Sequence, residues 1–348
     1  MQFSNTLIHW YLQNKRELPW RKTKNPYYIW LSEIILQQTR VNQGLAYYEH
    51  FITSFPTVYD LANAEEETVL KHWQGLGYYS RARNLHHAAN YIVTKLKGIF
   101  PSNYKGLLLL KGVGDYTASA IASICYNEPT AAVDGNVYRV LARYFGIHTP
   151  INSTEGNNQF KQLAQQLIDH KQPGIYNQAI MEFGALQCKP QNPNCINCPL
   201  RTTCKALQQQ LIGELPVKEK KGIVKKRFFN YLVIIDPQRN VQIQQRREKG
   251  IWRNLYEFPL IETSNEIHLK KLLASPKFKS FTHNMNVTVT LYNTSAIVHK
   301  LSHQHLFTKF WIVAADSQIE NGISWNDFEK YPVPVLIHNF VENFKTNA

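Results

Sequence analysis

The sequence predicts a multidomain protein that is α-helical first and α+β afterwards. At 348 residues the chain is long enough for two cores. Apolar residues recur at helical spacing through residues 1–211, whereas short β-rich runs separated by turn residues begin at 228 and continue to 348. Residues 212–227 carry many lysines and few apolar side chains, which predicts a basic interdomain linker.

Composition indicates a globular protein with a polyanionic partner. The chain is 44% hydrophobic and 12% aromatic, and its 39 Lys and Arg against 25 Asp and Glu give a net charge of +14. Nucleic acid and an acidic membrane surface both fit that charge. No apolar run reaches the length of a bilayer span, and residues 1–21 lack a secretory pattern. We therefore expect a cytoplasmic protein, associated with the nucleoid if it is bacterial.

The first helical elements contain a candidate acid. Residues 3–13 predict one helix, which ends before Pro19, and residues 27–51 predict a longer helical region. Within it, Glu33 lies among Trp30, Ile34 and other apolar residues. Partial desolvation would raise the pKa of its carboxyl and suit it to donate a proton near neutral pH. A solvated helix glutamate is the alternative.

A glycine-rich loop separates two predicted amphipathic helices over residues 60–97. The loop runs from Trp73 to Tyr79 and is followed by Arg81 and Arg83. Apolar or aromatic tips can wedge between bases while arginines contact phosphates. An ordinary helix-helix turn explains the loop equally well.

Residues 110–115 read Leu-Lys-Gly-Val-Gly-Asp and predict a tight turn between two short helices. Ser102 is the expected cap of the first helix, and Asp115 that of the second. Amides at the start of the second helix would face an anion, so the turn is a candidate clamp for a backbone phosphate. A hairpin that only packs is the alternative.

Asp134 precedes another amphipathic run, over 137–144, and is expected to be its N-cap. A carboxylate near a helix N-terminus also stays ionised and can stabilise a developing cation. One protonated and one ionised carboxyl are what cleavage of a glycosidic bond requires. The sequence therefore pairs Glu33 with Asp134.

Four cysteines follow a helical stretch over 155–187. They are Cys188, Cys195, Cys198 and Cys204. Such clustering predicts a four-thiolate metal or cluster site in a reducing compartment, and spacing alone leaves zinc as an alternative. Cys125 is expected to be a buried apolar residue.

Together these motifs resemble the helix-hairpin-helix DNA glycosylases that carry a [4Fe-4S] cluster, and within that superfamily the adenine DNA glycosylase (MutY) family. The matching segments are 30–39, 75–79, 110–114, 133–137 and the four cysteines. The resemblance implies an all-helical helix-hairpin-helix glycosylase region with an iron-sulfur loop, followed by a Nudix-like α/β C-terminal domain. It also implies a [4Fe-4S] cofactor on the four cysteines and a monomer that acts on double-stranded DNA.

The reaction that the resemblance implies is hydrolytic removal of adenine opposite 8-oxoguanine or G, after base flipping. Glu33 would protonate adenine N7, and Asp134, with Tyr116 and Asn136, would stabilise the sugar cation. Bifunctional endonuclease III-like enzymes carry a nucleophilic lysine where this chain has Tyr116, so a monofunctional enzyme is expected. An endonuclease III-like pyrimidine glycosylase/lyase and a non-catalytic DNA-binding iron-sulfur protein are the alternatives.

Further residues take binding roles from the same resemblance. Arg21 and Glu182 are expected in the adenine pocket, and Gly112 and Gly114 at a phosphate. The positions expected to probe the gap and the opposite base are Gln38, Thr39, Leu76 and Tyr78.

The C-terminal domain resembles the Nudix fold but contains no R-E-x-x-E-E box, so nucleotide hydrolysis is not expected. Its strands are predicted at 228–235, 241–246, 287–292 and 307–313. Ser302 and His303 match a Phe-Ser-His loop that recognises 8-oxoguanine in the family, and Leu301 departs from it.

Overall fold

The computed structural model describes residues 2–219, 224–283 and 285–347. The chain forms two compact units. The helical unit comprises Met1–Asn63 and Asn84–Lys220, and the sheet unit comprises Ala64–Arg83 and Lys221–Ala348. The sheet unit therefore includes a segment from within the first 211 residues. Lys220 and Lys221 of the predicted linker lie outside the described residues.

The N-terminal part of the chain is helical, as predicted. Its helices are α1 (Gln2–Asn14), α2 (Pro26–Leu36), α3 (Val41–Ser54), α4 (Val58–Asn63), α5 (Glu66–His72), α6 (Ser80–Leu96), α7 (Tyr104–Leu107), α8 (Asp115–Tyr126), α9 (Gly135–Phe145), α10 (Thr154–Leu167), α11 (Pro173–Leu186) and α12 (Lys205–Gln208), with a 3₁₀ turn at Pro19–Arg21. Of these, α5 and the first four residues of α6 belong to the sheet unit.

The core of the helical unit forms where α1, α9, α10 and α11 converge. Leu7, Leu141, Phe160 and Phe183 are at most 1% exposed there. Burying a side chain of this size contributes roughly 1.5–3 kcal/mol. Packing of these faces therefore fixes the positions of the loops that carry the polar residues described below.

Two of the predicted helical regions are each divided into two helices. The region 27–51 is two helices rather than one, because Gln38 adopts a left-handed φ of 54° that the α-helix cannot continue through. The region 155–187 is likewise broken between α10 and α11.

The helix caps at the hairpin also differ from the prediction. Asn103, not Ser102, caps α7 by accepting a hydrogen bond from Gly106 N at 2.8 Å. Gly114, not Asp115, is the N-cap of α8. Asp115 is the first helical residue, and its carboxylate is engaged by other side chains. Asp134 is the N-cap of α9, as predicted.

The sheet unit contains a mixed sheet. Its elements are β1 (Lys225–Ile235), β2 (Asn240–Val241), β3 (Gln244–Gln245), β4 (Tyr256–Glu257), β5 (Leu260–Thr263), α13 (Leu269–Leu273), α14 (Pro276–Phe281), β6 (Val287–Leu291), β7 (Ile297–Lys300), β8 (Gln304–Ala315), β9 (Ile323–Ser324), a 3₁₀ turn at Asp327–Lys330, and α15 (Val335–Asn347). The order is β6-β8-β1-β2-β9, and β5 and β7 pair with β1 and β8. The long strands β1 and β8 run parallel, and their neighbours in this sheet run antiparallel.

Both described ends of the predicted linker belong to folded elements. Leu215 is 2% exposed and packs in the helical core, and Ile151 N donates to Val217 O at 3.0 Å. At the other end, β1 already begins at Lys225. Among the described residues, no helix is long and apolar enough to cross a membrane.

Candidate active site

One cleft of the helical unit is lined by all four predicted catalytic residues. It encloses a volume of about 200 Å³. Its lining includes Glu33 from α2, Tyr116 from α8, and Asp134 and Asn136 from the start of α9. Residues more than 100 positions apart therefore meet at one place. The sequence pattern suggested that they act together but could not give their positions in space.

Glu33 faces the cleft from the end of a largely buried helix. Its neighbours along α2 include Ser32, Ile34 and Ile35, each at most 3% exposed. Burial raises the pKa of Glu33, a hydrogen bond from Tyr116 opposes the shift and the nearby charge of Asp134 adds to it, which together bring the pKa to about 7. A carboxyl with this pKa is about half protonated at neutral pH, so it can donate a proton there.

Asp134 is surrounded by donors. Its Oδ1 accepts hydrogen bonds from Asn136 N at 2.8 Å and Val137 N at 2.9 Å, and its Oδ2 accepts one from Asn136 Nδ2 at 2.7 Å. Burial raises the pKa of Asp134 above its ordinary value, and these donors and the charge of Arg139 limit that rise. Glu33 lacks such a set of donors. The proton of the pair therefore resides on Glu33 and the negative charge on Asp134.

Asn136 is itself held in place. Arg139 Nη2 donates to Asn136 Oδ1 at 2.8 Å and to Gly184 O at 2.6 Å. This chain of hydrogen bonds links Asp134 to α11 and fixes the orientation of its carboxylate. Arg139 was not identified from the sequence, where it reads as an ordinary helix arginine one turn after Asp134.

Tyr116 lies beside both carboxyls. Its hydroxyl hydrogen-bonds to Glu33 and approaches Met181 Sδ at 3.3 Å. Burial and the two neighbouring carboxylates raise the pKa of Tyr116 well above its ordinary value, so it stays a neutral donor. No lysine is among the described residues that line this cleft.

Arg21 and Glu182 also line the cleft and pair with each other. Glu182 accepts two-pronged salt bridges from Arg21 and from Arg16, with N–O distances of 2.6–2.9 Å. Burial acts to raise the pKa of Glu182, but the arginine hydrogen bonds outweigh it and lower the pKa to about 2. Arg16 was missed because a basic residue after a helix gives no specific signal.

The residues predicted to probe the DNA lie in different places. Thr39 lines the cleft, and Gln38 is exposed beside it in the strained loop after α2. Gln37, which was not selected from the sequence, donates from Nε2 to Thr117 Oγ1 at 3.2 Å and ties this loop to α8.

The hairpin between α7 and α8 leaves a helix start open. Gly112 has φ 80°, and a Cβ there would lie 2.7 Å from Asn84 Cβ. A Cβ at Gly114 would meet nothing within 4 Å, and α8 has no side-chain cap. Asp115 instead pairs with Tyr104 Oη and Lys161 Nζ, both at 2.5 Å. The first amides of α8 therefore face open space, as an anion site requires.

The four clustered cysteines line one cavity in the helical unit. All four are free thiols, and Arg143 Nη1 donates to Cys188 Sγ at 3.5 Å. Within the described part of the chain, no three His, Cys, Asp or Glu side chains are close enough together to hold a single metal ion. Cys125 is half-buried, and burial raises the pKa of its thiol to about 12.

A second cavity, of about 590 Å³, lies within the sheet unit. Leu76 and Tyr78 line it together with Leu301, Ser302 and His303. Tyr78 Oη and Ser302 Oγ are 2.5 Å apart. Ser302 and His303 form the tip of a tight turn closed by Leu301 N and Gln304 O at 2.8 Å. The structure thus brings together loop residues that are 224 positions apart.

Residues 31–169 match the family described as HhH-GPD superfamily base excision DNA repair protein, and residues 230–343 match the NUDIX domain. An adenine DNA glycosylase of Buchnera aphidicola subsp. Baizongia pistaciae is 35% identical over 319 residues, covering 89% of this chain and 86% of the relative. The human adenine DNA glycosylase is 45% identical over 216 residues, which are 60% of this chain and 40% of that protein.

Solved structures share the fold of about three fifths of the chain. A thermostable thymine-DNA glycosylase aligns with a TM-score of 0.56 and 28% identity, covering 60% of this chain and 95% of that one. An endonuclease III-DNA complex, at 21% identity and a TM-score of 0.53, shares the fold over the same proportions. These matches confirm the predicted helix-hairpin-helix and Nudix-like architecture. The Buchnera adenine DNA glycosylase matches along most of its own length and most of this chain. The chain therefore belongs to the adenine DNA glycosylase family.

Proposed function

We propose that this protein removes adenine from double-stranded DNA by hydrolysing its N-glycosidic bond. The observation that carries this proposal is the pair of unlike carboxyls in the cleft: Glu33, with a pKa of about 7, and Asp134, held by three donors. One acid and one carboxylate in the same site match the requirements of cleavage through an oxocarbenium-like state. The relatives are adenine DNA glycosylases, and we infer from their names that adenine is the nucleobase removed.

The first step is protonation of the leaving group. Glu33 donates its proton to N7 of an adenine that has been flipped out of the duplex, and the C1′–N9 bond then breaks with both bonding electrons going to the base. A neutral adenine leaves in place of an anion. The Glu33 carboxylate then takes a proton from the water that adds to C1′, which restores the acid and leaves an abasic site.

Asp134 stabilises the positive charge that develops on the sugar. Its carboxylate keeps a fixed position because Asn136 and the start of α9 hold it. A preorganised charge needs no rearrangement during the reaction, which makes it effective in a water-poor cleft. Tyr116 adds a neutral hydroxyl next to both carboxyls, and Arg21 and Glu182 border the space for the base.

The same geometry supports a monofunctional enzyme. Schiff-base lyase chemistry requires an amine at the sugar, and Tyr116 supplies a hydroxyl where a lysine would be needed. Water is therefore the nucleophile, and strand cleavage does not accompany base removal.

Two further features support binding of damaged duplex DNA. Gly112 and Gly114 leave the amides of α8 open to a backbone phosphate. In the sheet unit, Ser302 and His303 offer polar groups at the turn tip beside Leu76 and Tyr78. We assign this second cavity to 8-oxoguanine, or G, opposite the adenine, and assign Gln38 and Thr39 to the gap left by the flipped base. Double-stranded DNA is the partner and the protein acts as a monomer.

The cysteine cavity fits a [4Fe-4S] cluster held by Cys188, Cys195, Cys198 and Cys204. Four free thiols surround one space, and Arg143 approaches Cys188 with a positive charge that offsets thiolate charge. A cluster bound there would supply a rigid cross-link between the segment after α11 and the segment before α12.

A single-turnover assay tests the proposal. The substrate is a duplex with one adenine opposite 8-oxoguanine, and products are separated with and without hot alkali. Release of adenine with strand breaks only after alkali supports hydrolysis without lyase activity. DNA that is bound but never cleaved after alkali would overturn the adenine assignment. Breaks without alkali would overturn the monofunctional assignment.

A further inference from the structure

A row of basic side chains crosses three neighbouring strands at one end of the sheet. Lys226 of β1 pairs in register with His305 of β8, and His305 pairs in register with Lys300 of β7. Residues paired directly across strands project from the same face. Lys226, His305 and Lys300 therefore form a continuous row, here called the basic row.

The side chains behind the basic row confirm which face it occupies. Phe228 and Phe307 are the next residues on this face of β1 and β8, and their rings stack with centroids 5.1 Å apart. Lys226 Nζ lies 5.9 Å from the centroid of the Phe307 ring. The two aromatic rings thus support the lysine stem while its ammonium group remains at the surface.

Salt bridges among the described residues do not neutralise the lysines of the basic row. Lys226 and Lys300 are exposed, and among the described residues neither makes a salt bridge. Other cations of the sheet differ, because Arg227 pairs with Glu262 and Lys309 pairs with Glu266. Unpaired cations aligned on one face indicate a surface for an external anion.

The location of the basic row identifies that anion. Lys300 and His305 directly flank the turn whose tip is Ser302 and His303, and Lys300 also borders the second cavity. If the tip reads a base, the phosphates of the same DNA strand must pass beside the tip. Three strands spaced about 4.8 Å apart span roughly 10 Å, which equals about three steps of 3.4 Å between successive phosphates along the axis of one DNA strand.

We propose that the basic row binds the phosphate backbone of the DNA strand that carries the base opposite the excised adenine. This inference rests on the proposed function and deepens it, because it adds residues that position the strand without reading its sequence. The predicted basic linker then acts in part through Lys226, which is strand β1 rather than a flexible tether. Phosphate contacts of this kind set register and affinity, and base contacts set specificity.

The test measures DNA affinity as a function of salt in the full chain carrying Glu33→Gln, so that bound substrate is not consumed. Fluorescence anisotropy follows binding to a labelled A:8-oxoguanine duplex and to the undamaged duplex between 50 and 300 mM NaCl, about the range in which counterion release dominates. The variant is Lys226→Gln with Lys300→Gln. Its control is Lys277→Gln with Lys279→Gln, two exposed lysines of α14 that remove the same charge from the same unit.

The slope of log affinity against log salt is negative. We expect it to become shallower by about 1.8 in the basic-row variant, and by about 0.9 in each single variant. Affinity at 0.1 M salt should fall by roughly tenfold or more, by the same factor on both duplexes. A slope equal to that of the control variant would overturn the proposal, as would a loss confined to the 8-oxoguanine duplex.

The chain without the Glu33 substitution separates this proposal from the proposed function. If that chain does not excise adenine, the proposed function fails and the strand assignment fails with it. If excision is intact while the basic-row variant matches its control, only the basic row is refuted.

Discussion

Replacing Glu33 with glutamine should stabilise the protein at alkaline pH and slow its reaction by a factor of about 100 or more. The pKa of Glu33 rises from an ordinary value of 4.5 to about 7 in the folded protein. Above pH 7 the folded state must therefore hold a buried charge that the unfolded state exposes to water. The interval corresponds to about 3 kcal/mol at 1.4 kcal/mol per pKa unit, an upper bound because the carboxyl faces an open cleft.

The sign follows from proton linkage. Between pH 4.5 and about 7 the folded state binds a proton that the unfolded state has lost, so wild-type stability falls as pH rises through this window. Glu33→Gln does not titrate. Its stability relative to wild type should be nearly constant below pH 4.5, increase up to about pH 7, and be constant above.

Thermal unfolding at a fixed scan rate measures the effect. At pH 8.5 the midpoint of Glu33→Gln should exceed that of wild type by about 6–12 °C at most, at roughly 2–4 °C per kcal/mol. At pH 5 the two midpoints should nearly coincide. Glu49→Gln, at an exposed position of α3, is the control and should follow wild type at each pH. A Glu33→Gln difference that does not depend on pH, or that reverses its sign, would refute the assignment of a buried, proton-carrying Glu33.

Three further predictions concern other parts of the helical unit. Glu182→Gln leaves Arg16 and Arg21 without their partner and should destabilise the protein at pH 7 by about 2–3 kcal/mol. This difference from wild type should shrink as pH falls below 4.5 toward the folded pKa of about 2. Denaturant titrations at several pH values measure the difference, and an equal effect at every pH would contradict the role of the ion pair. Gly112→Ala should lower stability by about 1–2 kcal/mol because Gly112 has a positive φ and its Cβ would lie close to Asn84. Gly114→Ala should change stability by less than about 1 kcal/mol but weaken DNA binding. Equal effects of the two substitutions on unfolding would contradict the separate roles of the two glycines. Cys198→Ser should remove both the visible absorption of an iron-sulfur cluster and the iron content of the purified protein. A purified variant that retains its full iron content would exclude Cys198 as a ligand.

Local sequence patterns predicted the elements that depend on nearby residues. Asp134 is recognisable as an N-cap because it directly precedes an amphipathic run, and the change from helical to strand periodicity at 228 reflects side-chain spacing alone. The positive φ of Gln38, which splits the predicted long helix, has no comparable signature. Glutamine is not a residue that marks a left-handed turn, so tertiary packing of the loop decides its conformation.

Long-range partners set the remaining details. Asp115 does not cap its helix because Lys161 and Tyr104 compete for its carboxylate, and Lys161 is 46 residues away. Arg16 supports Glu182 across 166 residues, and Arg139 supports Asp134 through Asn136. The unlike environments of Glu33 and Asp134 likewise depend on which donors fold against each carboxyl. The sequence predicted the pair and its protonated member, and the fold supplies the donors that distinguish the two carboxyls.

The pH dependence of single-turnover adenine release tests the central claim most directly. Wild type and Glu33→Gln would each be saturated with an A:8-oxoguanine duplex and assayed from pH 5 to 9, with glycosidic cleavage followed after alkali treatment. The account predicts that the wild-type rate is constant in acid and falls about tenfold per pH unit above about pH 7, and that Glu33→Gln is slower by a factor of about 100 or more without this inflection. A Glu33→Gln variant that keeps the wild-type rate or its inflection would contradict the assignment of Glu33 as the proton donor.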